Sequence, residues 1–200
     1  MTHAEVPPHI HLAQSEMSSP DLRPDQLRHV LLAAARCDAT VTSKAWLRAF
    51  WYDENWSDGA TMAKFDNGGG DHVFVIFTPS GKTLIKGFDH ESAVSPHARE
   101  EFGIWPGIYD GLPAVLDSLV KDEAVEHEDV TFCCWSVDGL TWETGTAQIP
   151  EGIDDGSSWL LPMIQMGADD FIAWGKTYYG ANFKRIGEKG VLDEFKRAAL

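Results

Sequence analysis

Apolar positions along this chain change their period several times, and each change marks an element. Leu27, Val30, Leu31 and Ala34 recur at helical spacing through Cys37, which predicts a helix beginning at Pro24. Pro24 suits the first helical position, where an N–H would lack an intrahelical partner, and Asp25 faces the positive end of the helix dipole. Trp46, Leu47, Phe50 and Trp51 follow at i, i+1, i+4, i+5 and predict a second, shorter helix ending before Asp53. From Ala60 the period becomes two. Met62, Lys64 and Asp66 alternate with Ala63 and Phe65, Asn67-Gly68-Gly69-Gly70 makes a turn, and Val73-Phe74-Val75-Ile76-Phe77 makes a run. Pro79-Ser80-Gly81 turns the chain again before residues 82–88. Three strands in sequence predict an antiparallel meander, the second apolar on both faces and hence central. Residues 130–137 and 140–144 flank Asp138-Gly139 and predict a further hairpin.

Helical patterns fill most of the rest. Leu112, Val115, Leu116 and Leu119 share one side, residues 158–166 form a shorter candidate, and Asp169 and Asp170 open a segment whose Phe171, Ile172, Trp174, Tyr178 and Tyr179 cluster on one face. Leu192, Phe195 and Ala199 mark a terminal helix. The expected fold is therefore a single α+β domain over residues 23–200, with a roughly five-stranded, mainly antiparallel sheet packed with flanking helices. Residues 1–22 are polar, carry Pro7, Pro8 and Pro20, and have no periodicity to define a buried face, so they read as a tail.

Charge narrows the partners. Thirty-one acidic residues against sixteen lysines and arginines give a formal charge of -15, which repels phosphate backbones and anionic lipid at long range. Neither nucleic acid nor membrane is expected. Three cysteines, Cys37, Cys133 and Cys134, are an odd count with two adjacent members that face opposite ways in an extended chain, so a disulfide framework is not expected. The start of the chain has neither a basic n-region nor an apolar h-region, and no apolar run approaches about 18 residues. The cytoplasm is the expected compartment.

Familiar catalytic signatures fail on spacing. Gly81-Lys82-Thr83 ends like a phosphate-binding loop, but Ile76 occupies the position of the first glycine and Lys82 lies between strand patterns. The cysteines lack zinc-ligand spacing. Asn55-Trp56-Ser57 matches a glycosylation acceptor, without meaning in a cytoplasmic chain.

Titratable groups are densest where the third meander strand ends, at Asp89-His90-Glu91-Ser92, followed by His97 and Glu100-Glu101. A loop held by a rigid strand end is where sites are built. Asp89, His90, Glu91 and His97 are the ligand types for zinc or non-haem iron, and His90, Glu91 and His97 the candidate acid–base groups. Adjacent side chains diverge, so capped turns and solvated charges are the plainer reading, with neither metal nor cofactor. An aromatic, glycine-rich loop, residues 102–113, comes next; within it Trp105, Tyr109 and Asp110 join Asp89 and His90 as candidate binding residues. Eight tryptophans are many for this length, and most are expected in the core or on sheet faces.

Lys86-Gly87-Phe88-Asp89-His90-Glu91-Ser92, Trp105-Pro106-Gly107 and Trp174 with Tyr178-Tyr179 together resemble a group of bacterial proteins of unknown function. That resemblance spans roughly residues 60–180 and implies no catalytic residue. In acidity, size and tryptophan content the chain is also similar to cytoplasmic immunity proteins that neutralise toxins, which implies a protein partner. The expected function is a non-enzymatic binding domain, immunity-type in its most concrete form, whose acidic face near residues 89–110 and 122–129 meets a basic protein. The alternative is a small metal-dependent hydrolase or other enzyme built on Asp89, His90, Glu91 and His97.

Overall fold

Six strands hydrogen-bond in chain order in the computed structural model, which describes residues 18–199. They are β1 (Phe50–Ser57), β2 (Ala60–Asp66), β3 (His72–Phe77), β4 (Thr83–Phe88), β5 (Phe132–Ser136) and β6 (Glu143–Thr144), and every neighbouring pair is antiparallel. The α+β domain expected from the sequence is present, with six strands instead of five. β3 and β4 are buried along their whole length, which is why the Val73–Phe77 run of β3 is apolar on both faces.

The added strand is β1, where helical spacing predicts a short helix. Only a single 3-10 turn forms, Ala45–Leu47, before the chain becomes extended. Asp38, fully buried on the first helix, accepts the N–H groups of Ala49 and Phe50 on one carboxylate oxygen, both at 2.7 Å. A helix would need those N–H groups for its own carbonyls. Phe50 then packs into an aromatic cluster with Phe65, Phe171 and Trp174, at centroid distances of 5.1, 5.9 and 5.5 Å. Alternate side chains turn the other way, and Trp51 stays exposed.

Two cores form, one on each face of the sheet. The first lies under α1 (Pro24–Val41), α3 (Ser157–Ile164), α4 (Ala168–Tyr179) and α5 (Gly187–Ala198), with Leu27, Leu31, Phe65, Val75, Ile85, Leu160 and Phe171 at its centre. The second lies under α2 (Ala114–Val120) and the long loops on either side of it, and contains Phe74, Ile76, Leu84, Leu116, Val125 and Trp135. Adjacent Cys133 and Cys134 fall into different cores, as alternation in a strand requires, and all three cysteines are buried thiols.

The predicted Asp138-Gly139 hairpin is a wider loop. Asp138 accepts from the N–H groups of Leu140 and Thr141, both at 2.8 Å, and those main-chain bonds hold its carboxyl down to about 2. Satisfied locally, these N–H groups are not part of a two-residue turn, and β6 begins only at Glu143. The expected tail, residues 1–22, lies outside the described residues as far as residue 17. Further along, Ser18 donates from its N–H to Ser157 Oγ (3.1 Å), Leu22 donates to Gln165 Oε1 (2.8 Å), and the Leu22 carbonyl accepts from Trp142 Nε1 (2.9 Å). Among the described residues no helix is long and apolar enough to cross a membrane.

Candidate functional site

β4 ends at Phe88 and delivers Asp89 and His90 to one end of the sheet. The Asp89 N–H donates to Thr131 Oγ1 at 3.1 Å. Its carboxylate takes two further donors, the Glu91 N–H at 2.9 Å and Trp159 Nε1 of α3 at 3.0 Å. The approach of α3 requires a glycine ahead of it. Gly156 has φ +86°, and a Cβ there would sit 2.5 Å from the Asp89 Cβ.

His90 faces a residue that spacing did not single out. Asp71, just before β3 and 6% exposed, accepts from both the main-chain N–H of His90 (3.0 Å) and its Nδ1 (2.7 Å). Asn67 Nδ2 donates to the other Asp71 oxygen at 2.6 Å. A carboxylate can only accept, so Nδ1 carries the proton and Nε2 is the free nitrogen. The Asp71 bond raises the His90 pKa above its ordinary value. Burial works to raise that of Asp71, but the bonds from His90 and Asn67 outweigh it and leave the carboxyl low.

Of the four predicted ligands only Asp89 and His90 come together, and Asp71 completes a trio whose ligand atoms lie within 4.8 Å of one another. The Asp71 bond engages His90 Nδ1 and leaves Nε2 as the remaining ring nitrogen, while each Asp89 oxygen already accepts one donor, from the Glu91 N–H or from Trp159 Nε1. Glu91 is exposed and meets Asp89 through its main-chain N–H. His97 is held elsewhere, its Nε2 2.7 Å from Asp129 Oδ1 and its ring edge-on to Phe102 and Phe88 at 5.1 and 5.9 Å.

The aromatic loop packs on residues 145–148 through closely apposed glycines. Thr146 donates its N–H to the Gly107 carbonyl at 2.9 Å, and a Cβ on Gly145 would fall 2.0 Å from that same oxygen. Trp105 Nε1 donates to the Gln148 carbonyl at 3.2 Å, and Thr146 Oγ1 donates to Asp110 at 2.5 Å. With Arg99, these residues line an open cavity of about 410 Å³. Tyr109 does not join them. Its hydroxyl donates to the His127 carbonyl at 2.9 Å, its ring stacks on His127 at 4.9 Å, and burial raises its pKa.

Most tryptophans sit in or against a core, as expected: Trp142 and Trp174 pack on the first, and Trp56, Trp105 and Trp135 belong to the second. Trp135 alone is fully inside, at 2% exposure, while Trp46, Trp51 and Trp159 are exposed and the other four are half-buried. Trp159 belongs to the site through Asp89, a pairing that bridges seventy positions and leaves no local signal. Lys86 and His72 were also missed; both are buried polar groups inside strands that read as apolar. No family model matches the chain, and no curated protein or solved structure matches it either.

Proposed function

We propose that the chain is a protein-binding domain without catalysis of its own, whose acidic face engages a basic protein partner. The observation that carries this reading is the His97–Asp129 bond, which clips the loop after β4 to the acidic connection before β5. Phe102, 54% exposed, meets that histidine edge-on, with Glu100, Glu101, Glu126 and Glu128 exposed on the two joined segments. Arg99, the cation beside them, is turned toward the carbonyls of Gly103 and Ile104. Lys64 lies 3.7 Å from Glu126 Oε1, and an aromatic anchor beside the exposed carboxylates of Glu100, Glu101 and Glu128 suits a basic surface. In its most concrete form this is an immunity-type protein of the cytoplasm that neutralises a basic toxin.

Affinity capture with the unmodified chain and with a Phe102→Ala, Glu100→Lys, Glu101→Lys variant tests it. The expected result is a basic protein retained by the first, released by salt, and lost from the second. Identical retention by both would sink the reading.

A second reading, an enzyme using His90 as acid–base group, rests on the Asp71–His90 pair, which orients the imidazole and leaves Nε2 free. Its metal-dependent form is checked by metal analysis of protein purified without a histidine tag. Stoichiometric zinc, manganese or iron, together with a raised melting temperature, would favour it over the binding domain.

A further inference from the structure

We propose that the groove between α1 and the free edge of β1 receives an extended peptide bearing acidic side chains, which adds to the sheet as a short extra strand. β1 is an outer strand of the sheet. The Asp66 N–H donates to the Ala49 carbonyl at 2.8 Å, so alternation along the antiparallel register makes Trp51/Lys64 and Asp53/Met62 the hydrogen-bonded pairs. Phe50 and Tyr52 therefore turn their main-chain groups to the open side. The Phe50 N–H is taken by Asp38, which among the described residues leaves the Phe50 carbonyl and both main-chain groups of Tyr52 for an incoming strand. An irregularity between Asp53 and Ser57 bends the rest of β1, so the added strand is short and side-chain contacts must supply much of its hold.

Those contacts are cationic. Cavities of about 310 and 730 Å³ run along this edge, and Leu32, Tyr52 and Glu54 line both. Arg36 and Arg48 line the first, Arg28 and His29 the second, against the single carboxylate of Glu54. Among the described residues neither the Arg28 nor the Arg36 guanidinium has a hydrogen-bond or ion-pair partner, and the Arg48 guanidinium donates to the Thr42 carbonyl at 3.1 Å. In a chain with 31 acidic residues and 16 basic ones, a groove whose arginines have no carboxylate partner is a local reversal of charge. The Arg28 guanidinium lies over the Phe77 ring at 4.8 Å and that of Arg48 over the Trp51 ring at 5.9 Å; burial raises the pKa of the Tyr52 hydroxyl, and the charges of Arg28 and Arg36 work against that rise. Glutamates or aspartates at alternate positions of an extended peptide would lie on one side of it, within reach of these arginines. Long nucleic acid is a poor occupant, because the net charge of the whole molecule repels it.

The test uses two fluorescein-labelled octapeptides, one of alternating threonine and glutamate and one of alternating threonine and glutamine. The intact protein is expected to bind the glutamate peptide at least about tenfold more tightly, and an Arg36→Glu, Arg48→Glu variant to lose that preference. Amide hydrogen exchange at Tyr52 is expected to slow at saturating peptide. Equal binding of the two peptides, binding of neither, or unchanged exchange at Tyr52 would overturn the proposal. These three readouts come from the unmodified protein and stand even where the charge-reversed variant fails to fold.

Discussion

The Nζ of Lys86 donates to the main-chain carbonyl of Glu126 at 2.7 Å, across forty positions of sequence. It donates also to the Val125 carbonyl at 2.9 Å, lies 3.4 Å from His72 Nε2, and sits over the ring of Phe74 at 5.1 Å. Two carbonyls and the His72 imidazole surround the amino group, and no part of the side chain is exposed. Glu126 is in the left-handed conformation, φ 54°. The buried amino group therefore fixes the turn from which the acidic connection projects.

Replacing that amino group tests the pin. Lys86→Met keeps most of the volume and leaves two carbonyls without a donor, so a loss of about 2–4 kcal/mol in urea unfolding is expected. The pH dependence separates the charge from the packing. Burial brings the Lys86 pKa down from 10.5 to about 7. Between those values the unfolded chain holds a proton that the folded one has released, so this group adds stability as pH rises. The gap between wild type and Lys86→Met is expected to widen in favour of wild type from pH 7 to pH 9.

The Asp71–His90 pair is checked by titration. By NMR the His90 imidazole is expected to titrate above 6.5, and Asp71→Asn to bring it back toward that value. A raised folded pKa means that the contribution of the pair is complete below pH 6.5 and fades as pH climbs through the folded value. His90 is exposed, so the titration curve is the readout, and stability should change little.

Gly156→Ala addresses the junction between Asp89 and α3. The new methyl group would meet both a positive φ and the Asp89 side chain, and the expected cost is about 2–3 kcal/mol. The Trp159 indole should then exchange its proton faster, because its acceptor is displaced.

Asp38 joins three elements, accepting from Ala49 and Phe50 at the start of β1 and from the Tyr179 hydroxyl of α4. Asp38→Ala is expected to lose about 3 kcal/mol and Tyr179→Phe about 1 kcal/mol. The double variant should lose less than the sum, since the hydroxyl has no acceptor once the carboxylate is gone. Additive losses by urea unfolding would show that the two groups act separately.

Periodicity carried much of the fold. The meander β2–β3–β4 and the helices α1, α2, α4 and α5 stand where their patterns put them, because each buries a face that its own side chains define. β1 did not follow its pattern. Phe50 and Trp51 satisfy a helical spacing, but a carboxylate on α1 captures the N–H groups at its start and an aromatic cluster takes Phe50. Propensity gave way to contacts made by distant parts of the chain.

The candidate site divides in the same way. Asp89 and His90 were legible, since a dense titratable run leaves the end of an apolar strand. Asp71, Trp159 and Asp129 carry no local mark, and they decide that His90 is oriented, Asp89 is capped by an indole, and His97 turns to the connection before β5. The chain by itself determines which residues seek the interior and where its negative charge lies, because hydrophobic period and composition are properties of sequence. Which polar groups meet was decided only by the tertiary structure: a hydrogen bond depends on distances of a few tenths of an ångström between groups that the fold brings together from as far apart as Lys86 and Glu126.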